Sequence, residues 1–145
     1  MGWSGVPTRS PQPGAYAHRM RASTAAIVDT VLVFVFVAIG RNNHHKGVAA
    51  AGIVRTTAPF LIALAVGWLG ARAWTRPTQP TTGLIVWIAT VALGLLLRRV
   101  MFHGGTAAAF VIVAALFNLA TLVGWRVMSS WFAGRVANGA ASPRD

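Results

Sequence analysis

The chain has 145 residues, of which 55% are apolar and only 10% charged, too few to wet a soluble domain, whose surface needs about 25%. With no cysteine, disulfides, thiolate metal sites and a cysteine nucleophile are excluded. Thirteen Lys and Arg oppose two acids, Asp29 and Asp145, for a formal charge of +11; the cations flank apolar blocks, as at membrane span ends, which argues against a nucleic-acid partner.

Residues 1–22 include Pro7, Pro11, Pro13, Gly2, Gly5 and Gly14 without a helical apolar period. They read as a flexible tail rather than a cleavable signal peptide, because no small-residue cleavage site and soluble domain follow the first apolar run. That run, Ser23 to Gly40, is rich in β-branched residues, but in lipid each backbone amide must bond within its own segment, so helix is expected. A second apolar block reaches from Val48 to Ala73, interrupted by Arg55 and Pro59. It is either one long helix kinked at Pro59, or a short interfacial segment ending at Thr57 and a span that Pro59 opens. The second is preferred, since it leaves Arg55 among the headgroups. A third span is expected over Thr82–Leu97, stopped by Arg98 and Arg99. A fourth covers Thr106–Trp125, stopped by Arg126. Trp68, Trp74, Trp125 and Trp131 fall near span ends, where indoles prefer the interface.

The expected fold is therefore all-α: a polytopic bundle of four transmembrane helices over residues 23–131, with flexible tails at 1–22 and 132–145. The N-tail, the loop 72–81 and the C-tail carry Arg9, Arg19, Arg21, Arg72, Arg76, Arg126, Arg135 and Arg144, against Arg41, Lys46, Arg55, Arg98 and Arg99 on the other side. The positive-inside rule then puts both termini in the cytoplasm.

A pattern recurs along the chain. Arg41-x-x-x-His45-x-Gly47-x-Ala49-Ala50-Ala51 matches Arg99-x-x-x-His103-x-Gly105-x-Ala107-Ala108-Ala109, and Val66-Gly67-Trp68 with Trp74 matches Val123-Gly124-Trp125 with Trp131. Two explanations stay open: a duplicated helical hairpin, or chance recurrence of residues common in membrane helices.

Asp29 is the most informative side chain, because a carboxylate inside a span costs up to ~3 kcal/mol on insertion scales. Span alternation makes Arg72 and Arg126 its candidate partners, with Asn118 deeper. The pair would be either a lock between helices or a proton, cation or substrate site. On the other side, Arg41, His44, His45, Arg55, Arg98, Arg99 and His103 suit anionic lipid headgroups or ordinary span-flanking charge. The histidines lack a carboxylate or thiolate at ligand spacing, so no metal site and no cofactor are expected. Small residues four apart, centred on Gly67, Gly94 and Gly124, would let helix backbones approach closely. No nucleophile elbow, P-loop or zinc helix is present, and a single membrane acid offers no carboxylate pair, so an enzyme is not expected.

The segments VDTVLVFVFVAIGRNNHH, APFLIALAVGWLGARAW, GLIVWIATVALGLLLRR, HGGTAAAFVIV and LVGWR, in this order and spacing, resemble the family of small actinobacterial membrane proteins called domain of unknown function 3054. The resemblance runs from Ala26 to Arg126. It implies four helices and a high-GC Gram-positive host, and it implies no reaction. The expected function is a non-enzymatic accessory subunit packed against other integral membrane subunits, such as a lipid or solute transporter, or self-associated. The alternative is a minimal oligomeric proton- or cation-coupled transporter using Asp29.

Overall fold

The computed structural model describes residues 21–42, 50–101, 103 and 107–140. Their elements are α1 (Ala22–Asn42), α2 (Ala50–Gly70), α3 (Pro80–Val100), α4 (Ala108–Asn118), a π-helical turn (Leu119–Val123) and α5 (Gly124–Ala140), with no strand among the described residues. Four stretches are long and apolar enough to cross a membrane: Ala22–Gly40, Gly52–Gly70, Pro80–Val100 and Ala108–Val136. The chain is thus an all-α, multi-pass membrane protein with four spans. Helices of 21 residues rise about 31 Å, matching a hydrocarbon core of about 30 Å. The N-terminal tail, apart from Arg21 and Ala22, lies outside the described residues.

Two expectations about helix ends are corrected. Pro59 does not open the second span; it lies buried inside one continuous α2. An interior proline loses its own N–H bond and crowds the carbonyl four residues back. In lipid the remaining amides must still bond within the segment, and neighbouring helices and Ser/Thr side chains satisfy the groups it frees. Nor does Arg126 end the fourth span. The helix passes it and continues to Ala140, so residues 132–140, assigned to a tail, are helical. Arg126 fails as a stop because it is fully buried and ion-paired instead of reaching for headgroups.

α2 and α3 make the closest contact of the bundle. A Cβ on Gly67 would come within 3.0 Å of Ala89 Cβ and 3.3 Å of the Val86 backbone, and one on Gly94 within 2.6 Å of the Phe60 ring. This is the small-residue packing that lets helices associate without a hydrophobic driving force. Gly124, expected to serve likewise, has open space around it. The buried core runs through Val33, Phe36, Val37, Phe60, Leu64, Val86, Ala114 and Leu122, with Phe36 edge-on to Phe60 at 5.5 Å between centroids.

The α2–α3 connection is set by local hydrogen bonds. Ala73 N donates to Trp68 O (3.0 Å) and Arg72 N to Leu69 O (3.1 Å), while Arg72 takes a left-handed φ of 47°. This is the Schellman closure of a helix, with arginine where glycine is usual. Pro80 then starts α3 behind Gln79, a position where its missing N–H costs nothing.

Candidate functional site

One polar node joins all four spans. Asp29 sits two turns into α1 and is fully buried, as is Arg126 in the first turn of α5. The two meet as a bidentate pair: Arg126 Nη1 donates to Asp29 Oδ1 at 2.9 Å and Nη2 to Oδ2 at 2.6 Å. Trp125 Nε1 donates to the same Oδ1 at 2.9 Å, and Trp68 Nε1 from α2 to Oδ2 at 2.8 Å. Each carboxylate oxygen thus accepts two hydrogen bonds, which fills the acceptor capacity of the group.

The guanidinium is almost as fully used. Its Nε donates to the carbonyl of Pro77, in the α2–α3 connection, at 2.9 Å, and Nη1 also donates to Leu122 O at 2.6 Å. Leu122 belongs to the π-helical turn directly before α5, a device that recurs where a helix must re-aim its groups. Trp125 lies under the guanidinium at 4.5 Å, adding a cation–π contact. α3 contributes by making room: a Cβ on Gly83 would come within 2.7 Å of Arg126 Cδ and 3.1 Å of Leu122 O.

Of the two candidate partners for Asp29, Arg126 makes the pair. Arg72 is exposed, held in the left-handed turn that closes α2. Asn118 is buried; its Nδ2 donates to Ala114 O at 2.8 Å, and its Oδ1, like Thr90 Oγ1, has no hydrogen-bond partner among the described residues. Trp68, Trp125 and Gly83 were not read from the sequence as parts of this site. By position along the spans the tryptophans read as interface residues; their recurrence in the two Val-Gly-Trp motifs is the available signal, since both motifs converge on one carboxylate. The repeat is not symmetric at its glycines, for Gly67 is tightly packed and Gly124 is not.

At the opposite end of the bundle, α3 closes with Arg98, half-buried over the Phe110 ring at 4.7 Å, and Arg99, which is exposed. Arg55 is exposed on α2, and exposed His103 has a φ of 48°. His44 and His45 lie outside the described residues, as does the side chain of Arg41. Among the described residues no group of three or more His, Cys, Asp or Glu is placed to hold a metal ion.

A family model described as "Protein of unknown function (DUF3054)" matches residues 26–129, which takes in Asp29, Trp68, Trp125 and Arg126. No curated protein and no solved structure matches the chain.

Proposed function

The chain belongs to the DUF3054 family, and we propose that it is a non-enzymatic accessory subunit of a larger membrane assembly, working through its outer helical surfaces. The observation that carries this reading is the saturation of Asp29. A proton- or cation-coupled carrier needs a carboxylate that can exchange donors for cargo. Here both oxygens already accept two bonds each, from groups anchored on α2 and α5. The node is a lock that fixes helix rotation and depth.

The outer surfaces offer what a lock would support. The fourth stretch, Ala108–Val136, has 29 residues and rises about 43 Å, as long as a bilayer with its headgroup layers. Its far end exposes Val127, Met128, Trp131, Phe132 and Val136, an apolar stripe at helical spacing suited to a neighbouring membrane helix. In a bacterial cytoplasmic membrane the charge balance would place this end, with both termini, on the cytoplasmic side.

Affinity purification from native membranes in mild detergent tests the reading. A stoichiometric integral membrane partner is expected, and its yield should fall when Trp131 and Phe132 are changed to serine. Recovery of the protein alone would overturn it.

A further inference from the structure

We propose that the groove between α1 and α4 binds one acyl chain of an anionic phospholipid, whose headgroup is held by Arg98 and Arg99. The groove is a cavity of about 340 Å³ walled by Phe36, Ile39 and Gly40 on α1 and by Phe110, Val113 and Phe117 on α4. Its size falls at the small end of ligand cavities, about 300–1,000 Å³, and its walls are apolar.

Three observations choose the occupant. The first is length: from the start of α4 to Phe117 the helix rises about 15 Å, half of the ~30 Å hydrocarbon core, so the groove is as deep as one leaflet. The second is rigidity. Phe36 packs on Phe110 and Phe117 with centroids 5.9 and 5.7 Å apart, and such a fixed aromatic wall offers an acyl chain a shaped surface. The third is charge. The Arg98 guanidinium lies over Phe110, one of the groove walls, and Arg99 follows it at the end of α3. A cation beside the wall of an apolar, leaflet-deep groove complements a phosphate above an acyl chain. A groove this narrow takes one chain and leaves the second in the bilayer.

The experiment is native mass spectrometry of the full chain in detergent, offered phosphatidylglycerol and phosphatidylcholine with identical chains. The wild type should retain phosphatidylglycerol in clear preference. Arg99→Gln, at an exposed position, should lower that preference roughly fivefold, and Arg98→Gln should do the same where it folds. Gly40→Leu should reduce retention of both lipids at unchanged helicity and melting temperature, because a Cβ at Gly40 meets nothing within 4 Å. Equal retention of the two lipids by the wild type, or undiminished phosphatidylglycerol binding by Gly40→Leu, would overturn the proposal.

Discussion

Removing Asp29 should cost far more than one hydrogen bond. Asp29→Ala strands the Arg126 guanidinium, fully buried, and also the indole N–H groups of Trp68 and Trp125. Hydrogen bonds to a charged group contribute about 1.5–3 kcal/mol each, but four on one carboxylate do not add. The better guide is the loss of one partner from a buried ion pair, about 3–5 kcal/mol. Arg126→Met should cost a similar amount, because it leaves a carboxylate facing only two indoles. The double variant removes both charges, leaving neutral groups unpaired at about 1–3 kcal/mol apiece. It should therefore be no less stable than either single variant, with a coupling energy of several kcal/mol. Reversible unfolding in mixed micelles, titrated with a denaturing detergent and followed by far-ultraviolet dichroism, measures all four proteins. Single-variant losses below ~1 kcal/mol, or a double-variant loss equal to the sum of the singles, would refute the lock.

Trp68→Phe and Trp125→Phe each delete one donor to Asp29 while keeping an aromatic ring, and each should destabilise by about 1–3 kcal/mol in the same assay; no loss in either would mean that the indole bonds are incidental. Gly83→Ala should destabilise by about 1–3 kcal/mol, since its Cβ would press on the anchored Arg126 and on the Leu122 carbonyl. Gly124→Ala has open space and should be neutral or stabilising by up to ~1 kcal/mol through helix propensity. The cysteine-free chain suits topology mapping: in intact cells a cysteine at exposed Val100 should react with a membrane-impermeant maleimide and one at exposed Thr75 should not. The reverse pattern would invert the orientation.

The spans were legible because lipid imposes a simple rule on composition, and four apolar stretches obey it. What the sequence hid was how charges within those stretches are neutralised. Arg126 looks like a span-ending cation, and only its closeness to Asp29 in space, at a sequence separation of 97, shows otherwise. Arg72 and Arg126 were equivalent candidates by span alternation; the left-handed turn that excludes Arg72 depends on backbone closure rather than on any recognisable residue. The two Val-Gly-Trp motifs carry the same letters, yet one glycine is pressed against α3 and the other faces open space. Gly83 had no signal at all, because its need for a missing side chain is created by Arg126.

The separation of Asp29 and Arg126 along the chain has a consequence for assembly. α1 enters the membrane before the span that carries Arg126 exists, so it bears the cost of its carboxylate, up to ~3 kcal/mol on insertion scales, until the last helix arrives. Packing among apolar helices in lipid is weakly directional, whereas the node has partners on α1, α2 and α5 and in the α2–α3 connection, and fits only one rotation of each helix. The ion pair therefore selects the arrangement late, after all spans are present. A chain truncated after Gly124, which keeps most of the apolar length of the fourth span but lacks Trp125 and Arg126, should insert yet fail to lock. In pulse–chase measurements it should be degraded faster than full-length protein, and Asp29→Leu, which removes the uncompensated acid, should partly restore its lifetime. A truncated chain as long-lived as the full one would show that apolar packing alone sets the bundle.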